Sequence, residues 1–272
     1  MRLAIDCEIS HSSPAEWAEK LYNLGCGAVV LPFDHTANDA QVDAYTRSCK
    51  DYGLIIAEVG AYRNLQHSDP AERKKNIAYV KSQLAFADRV GARCCVNIAG
   101  TSGEKWNWGY IENYSGETYK RIIDTAREII EDVKPVNTYF TLEPMPWMVP
   151  DSPESCRQLC NDVSRERFAV HLDIVNMIND PRKYFFNKEF IKNCFDTLNG
   201  CNIRCCHAKD IRLEKSAVFS LALARCGEGN LDLAAYAAMA DACDKDMPFL
   251  IEHHKTEEEY INALKYIKNL VK

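Results

Sequence analysis

Short apolar runs alternate along this chain with longer stretches whose apolar residues recur every three or four positions. The two patterns have different physical meanings. A short continuous apolar run bounded by turn residues is that of a strand covered on both faces, and the longer period is that of a helix with one face buried. The apolar runs predict strands over 3–7, 28–33, 54–60, 94–99, 139–145, 168–175, 203–208 and 249–253. Helices are predicted between them from their punctuation. "SPAEWAEKLYNLG" has Pro14 near its start and Gly25 just past its end, and "DAQVDAYTRSCKDYG" stops at Gly53. "DPAERKKNIAYVKSQLAFADRVG" carries Ile77, Val80, Leu84 and Ala87 at helical spacing. "SGETYKRIIDTAREIIEDVK" closes at Pro135, and "SPESCRQLCNDV" offers Ser152 as N-cap with Pro153 behind it. "NKEFIKNCFDTLNG", "DLAAYAAMADACD" and "TEEEYINALKYIKNLVK" follow, the last opening on the capping pair Thr256 and Glu259.

Strands that alternate with helices pair in parallel and carry the helices outside. Eight strand–helix units over 272 residues are the arithmetic of an α/β fold, a (β/α)8 TIM barrel, expected here as a single domain over 1–272. The competing doubly wound sheet calls for a glycine-rich phosphate loop after its first strand. "DCEISHSSPAE" contains no glycine, and the barrel is the better reading.

In a barrel the active site forms at the carboxyl ends of the strands, so polar residues there stand out. The fifth strand finishes on Glu143, the sixth carries Asp173 late in "FAVHLDIVN", the seventh delivers His207 in "IRCCHAKD" and the eighth Glu252 in "FLIEHH". A carboxylate is costly in an apolar interior unless it is paired or holds a metal. The strand alternation puts Thr141 with Glu143, His171 with Asp173, Cys205 with His207, and Leu250 with Glu252 on common faces. Leu142, Leu172, Cys206 and Ile251 between them face the helices. Three carboxylates and one imidazole suit Mn2+ or Mg2+, with Co2+ or Zn2+ as further candidates. Each acid taken singly reads as a solvated or capping group; four consecutive strands offering one ligand each favour the metal. His171, one layer below Asp173, reads as a buried structural residue, and His253 and His254 are not expected as ligands.

The stretches "EVGAYRN", "GARCCVNIAG", "LEPMPWMVPDSPES", "AVHLDIVNMINDPRKYF", "CHAKDI" and "IEHH" resemble the sugar-phosphate isomerase/epimerase group of metal-dependent barrels. That group includes xylose isomerase-like enzymes, ketose 3-epimerases and endonuclease IV. In its ketose 3-epimerases a Glu, Asp, His, Glu quartet on the last four strands binds one divalent ion, commonly Mn2+. The resemblance carries those roles to Glu143, Asp173, His207 and Glu252. It implies an isomerase or epimerase of a sugar or keto-sugar, acting through a metal-chelated enediolate with Glu143 and Glu252 as acid and base. This chain departs from the group at two places: Asn176 stands where those epimerases carry a substrate-binding histidine, and Leu213 stands at their arginine, with Arg212 and Lys209 nearby. These departures keep a second reading open, a metal-dependent lyase or dehydratase, deglycosylation included, acting on a keto-sugar or keto-inositol. A non-catalytic sugar-binding barrel is the third. The three-metal endonuclease site fits poorly, since Asn176 replaces a ligand and no Asp-x-His follows the seventh strand.

Other residues are candidates for contacts with substrate. Glu58 would bond a hydroxyl or serve structurally, and Trp106, Trp108 and Trp147 would stack on a sugar ring or pack a loop. Asn176 takes the place of the missing histidine, and Lys209 would meet an anionic group or pair with Asp210. A net charge of −6 and a pI near 5.7 argue against a nucleic-acid partner. No apolar run is long enough to span a membrane. The odd number of cysteines, 13, with pairs such as Cys94-Cys95 inside apolar runs, reads as reduced core thiols rather than a disulfide frame or zinc site. With no signal core before the first strand, the expectation is a cytoplasmic protein. The partner expected is a small sugar or keto-sugar, and the resemblance adds a homo-oligomer although no face announces an interface.

Overall fold

A computed structural model describes residues 1–271. The strands are β1 (Arg2–Ile5), β2 (Ala28–Val29), β3 (Ile55–Ile56), β4 (Glu58–Gly60), β5 (Cys94–Asn97), β6 (Phe140–Leu142), β7 (Phe168–Asp173), β8 (Ile203–Ala208), β9 (Asp210–Leu213), β10 (Leu221–Ala224) and β11 (Pro248–Ile251). The helices are α1 (Pro14–Leu24), α2 (Asp39–Asp51), α3 (Pro70–Val90), α4 (Gly116–Val133), α5 (Pro153–Val163), α6 (Pro181–Phe185), α7 (Asn187–Thr197), α8 (Leu233–Cys243) and α9 (Glu257–Leu270). The architecture is an α/β TIM barrel with a curled parallel sheet. The main sheet runs β1-β11-β8-β7-β6-β5-β4, and β2 pairs in parallel with β3.

Local chemistry explains most of the boundaries. The side chains of Ser13, Asn38, Asp69, Ser115, Ser152 and Thr256 each accept a backbone N–H at the start of their helix. Gly25 and Gly91 close α1 and α3 in the left-handed conformation that a side chain would disfavour. The last helix, predicted to 272, ends at Leu270, and Lys272 lies outside the described residues. Most strands end earlier than their apolar runs, whereas β8 spans the whole of the predicted 203–208. The run 28–33 pairs only over β2, because Pro32 lacks an N–H for a ladder. The run 139–145 pairs only over β6, with Pro144 and Pro146 beyond it. The run 54–60 forms two strands, β3 pairing with β2 and β4 pairing with β5, broken at Ala57. The antiparallel hairpin of β9 and β10 was not anticipated.

By packing, the chain forms two compact units. The first comprises Met1–Ala57, Asp173–Asp196 and 205–271. In it β1 pairs with β11, Gly27 N donates to Leu3 O, and Ala57 N donates to Val29 O, so these short strands share one ladder system. Its core gathers Trp17, Leu21, Val42, Ile191, Tyr236, Phe249 and Leu264. The second comprises Glu58–Leu172 and Thr197–Arg204. In it β4, β5, β6 and β7 pair in sequence order, and α3 and α4 bury Val80, Leu84, Ile122 and Ile129.

Candidate metal centre

In the first unit, the carboxyl ends of β7 and β8 and the strand β11 deliver polar side chains where an alternating strand would place them. Asp173 is the last residue of β7, and His207 is the penultimate residue of β8. Leu250 lies opposite His207 in the β11–β8 register, so Glu252, two residues on, rises from the same face. Glu252 lies just past β11, and its N–H still bonds Ala208 O at 3.2 Å. Asp173, His207 and Glu252 are all buried, at 0%, 3% and 8% exposure. Ligand atoms of these three side chains lie within 4.8 Å of one another, and His207 Nδ1 is 3.2 Å from Glu252 Oε2. Neighbouring ligands of an octahedral ion bound at about 2.1 Å stand about 3 Å apart, and opposite ones a little over 4 Å. The donor set therefore fits a divalent ion. Its oxygen-rich chemistry suits a hard cation, with the imidazole widening the choice toward transition metals.

Each ligand type is held by a partner. Asn176 N donates to Asp173 Oδ1 at 3.1 Å, so the position expected to touch substrate supports Asp173 through its backbone. Lys209 Nζ lies 2.5 Å from Asp173 Oδ2 and 2.7 Å from Glu252 Oε1. His253, half exposed, brings Nε2 to 3.4 Å from Glu252 Oε1. Its backbone is left-handed, with φ of 60°, an uncommon conformation for a non-glycine residue immediately after a proposed ligand. Burial alone would raise the Glu252 carboxyl, but His207 and Lys209 beside it hold it well below the usual carboxylate range. Glu252 is thus an anion.

Asp210, the other partner weighed for Lys209, has its own task. Its carboxylate accepts the N–H groups of Ile211, Gly227, Gly229 and Leu231, gathering the 225–231 loop around one side chain. The spacing H-x-K already put Lys209 on the His207 face; its two carboxylate partners come from other strands and had no local signal.

In the second unit, Glu143 follows β6 directly and is buried at 6% exposure. Glu143 N bonds Asn97 O at 2.8 Å, so the residue is still laddered to β5. The Tyr62 hydroxyl donates to Glu143 Oε2 at 3.1 Å, a partner that the sequence reading missed. Glu58 is buried, with Oε2 2.9 Å from His171 Nε2, which is the structural one of its two readings. Trp108 and Trp147 face each other at 5.0 Å, and Trp147 Nε1 donates to Asn107 O. Lys105 caps the Trp108 ring at 4.2 Å. Asn113 ties the pair by donating to the carbonyls of both Trp108 and Trp147. Trp106 is half-buried in the same loop.

Residues 18–270 match the family model described as xylose isomerase-like TIM barrel. The chain belongs to that family. Its relatives span several chemistries. A probable endonuclease 4 from Persephonella marina is 23% identical over 247 residues, covering 86% of this chain and 82% of that protein. The crystal structure of a probable 3-DHS dehydratase from Bacillus anthracis is similar, with a TM-score of 0.72, 16% identity, and coverage of 100% of this chain and 99% of that one. A 3-keto-D-glucoside 4-epimerase from E. coli gives a TM-score of 0.70 at 13% identity, covering 99% of both chains. At these identities the two structures share the fold, and the site must speak for the reaction. Among the described residues no helix is long and apolar enough to cross a membrane.

Proposed function

We propose that this xylose isomerase-like barrel is a divalent-metal-dependent isomerase or epimerase of a sugar or keto-sugar. The observation that carries the reading is the buried Asp173, His207 and Glu252 cluster, whose ligand atoms lie within 4.8 Å of one another at strand ends. Glu143, at the end of β6, is the fourth ligand in this reading, and Mn2+ is the first ion to try. A bound divalent ion would polarise a substrate carbonyl and its neighbouring hydroxyl and make the hydrogen on the adjoining carbon more acidic. Glu252, held as an anion, or Glu143 takes that proton. The other glutamate returns a proton, on the opposite face of the same carbon for epimerisation or at the neighbouring carbon for isomerisation. Tyr62 orients Glu143 for this work, and Lys209 and Asn176 orient Asp173 and Glu252. The Trp108–Trp147 pair offers an aromatic wall for a sugar ring.

Lyase chemistry uses the same proton abstraction followed by loss of a leaving group. The fold shared with a probable 3-DHS dehydratase and the Asn176 substitution keep it as the second reading. The negative net charge supports a small-molecule substrate over nucleic acid.

The test is metal content and Mn2+ affinity of the wild type, Glu143→Gln and Asp173→Asn. Roughly one ion per chain is expected, with affinity weakened on the order of 10–100-fold or more in each variant. Wild-type protein that takes up no Mn2+, Mg2+, Co2+ or Zn2+ would sink the reading and favour a non-catalytic binder.

A further inference from the structure

Two side chains of the first unit that take no part in the proposed centre meet each other. Cys226 Sγ lies 3.5 Å from His254 Nε2. The residues are 28 positions apart, so no short cysteine–histidine spacing announced the pair. Both line a cavity of about 420 Å3 that also takes in Arg225, Glu228, Glu258 and Glu259. Each member of the pair is held in place. Asp210 accepts the N–H groups of Gly227 and Gly229 and so fixes the loop beside Cys226. The Tyr260 ring stands edge-on to His254 at 5.2 Å.

We infer that Cys226 and His254 form a second metal site, for a borderline-soft divalent ion such as Zn2+, with Glu228 closing over it and water completing the shell. The distance between the two ligand atoms carries this. Zn–S of about 2.3 Å and Zn–N of about 2.05 Å at a tetrahedral angle set sulfur and nitrogen about 3.5 Å apart, so the pair already stands at the edge of a zinc tetrahedron. The cavity wall has three glutamates against one arginine, which favours a cation over an anion. Glu228 is exposed and touches Arg225 only at 3.7 Å, a contact that costs little to break. Glu259 stays out of the shell, since Arg225 holds its Oε1 and the Lys255 N–H its Oε2. Sulfur selects the ion: a thiolate suits Zn2+ and not the hard Mn2+ or Mg2+, so this site and the oxygen-rich centre draw different metals. On binding, the thiol proton passes to solvent and the neutral imidazole offers its Nε2 lone pair, with no change of oxidation state.

The probe is Co2+, whose thiolate-to-metal charge-transfer absorption reports sulfur ligation, with Zn2+ as competitor. It is applied to the wild type, Cys226→Ser, His254→Gln and Asp173→Asn. The wild type should show the band and Zn2+ should displace it. Cys226→Ser should abolish the band. His254→Gln should weaken Co2+ binding at the band by about 10–100-fold or more, because losing a ligand costs at least as much as losing a group that supports one. Asp173→Asn should keep the band while losing Mn2+ affinity, which separates this site from the centre proposed above. A wild type without the band would overturn the inference. So would a band that persists in Cys226→Ser, which would trace it to another of the 13 cysteines. A band lost in Asp173→Asn but untouched in His254→Gln would overturn it as well. Should Cys226→Ser fail to fold by circular dichroism, Cys226→Ala gives the same comparison.

Discussion

The thiols show how burial sets chemistry one residue at a time. Cys26, Cys49 and Cys226 are buried, Cys160 is half-buried, and all four are pushed up to about 12, with desolvation of the thiolate as the leading cause. Cys95, wholly enclosed, is likewise raised well above the ordinary thiol value, chiefly by desolvation. The thiolate is the reactive form, so a raised pKa means little reaction until the pH approaches it. At pH 8 the native protein should react promptly with a thiol reagent at exposed Cys243 and, more slowly, at half-buried Cys7 and Cys201. All 13 cysteines should react once the chain is unfolded in denaturant. A colorimetric thiol count against time checks this, and rapid native labelling of four or more sites would contradict it. Sequence reading already placed the paired cysteines in the core from their apolar flanks. It assigned Lys209 only two alternatives, because charge says nothing about which carboxylates fold toward it.

At the scale of elements, a single side chain gathers the 225–231 loop. One buried carboxylate, Asp210, takes the N–H groups of Gly227, Gly229 and Leu231 as well as that of Ile211. Gly229 is required there: a Cβ would stand 2.1 Å from Asp210 Oδ1 and 2.6 Å from Ile211 O. Asp210→Ala leaves the buried N–H groups of Ile211 and Leu231 and two part-buried ones without an acceptor, and should cost about 3 kcal/mol. Urea denaturation measures that loss, and limited proteolysis should show new cleavage within 225–231. A loss below about 1 kcal/mol would mean that the loop is held by something other than Asp210. The helices and their caps were legible from local sequence, since a cap and its first turn are neighbours in the chain. The β9–β10 hairpin was hidden, because β9 mixes polar and apolar residues and the short apolar run of β10 lies exposed or half-exposed rather than covered on both faces.

For the whole molecule, the consequence of a metal centre is linkage between ion binding and folding. An ion held by groups that come together only in the native chain stabilises that state by an amount set by its concentration relative to Kd. Mn2+ at about a hundred times its Kd should add about 2.7 kcal/mol, raising the thermal midpoint by roughly 5 °C for a chain of this size. A chelator should reverse the shift, and Asp173→Asn should abolish it. A midpoint that ignores Mn2+ in the wild type while Mn2+ is bound would mean that the unfolded chain holds the ion equally well. Differential scanning calorimetry separates these outcomes.

Local patterning determined the α/β class, the eight strand–helix units and the residues standing at the strand ends, because burial on both faces and capping leave signatures within a few residues. Glu143, Asp173, His207 and Glu252 could be chosen from that pattern alone. Tertiary structure decided what no local pattern encodes: where each strand stops pairing, that Asp210 gathers a loop, that Glu58 meets His171, and that Lys209 serves Asp173 and Glu252. These contacts join residues that are distant in sequence or placed by register and loop closure. Their partners are set by which strands lie side by side, and that order exists only in the folded chain.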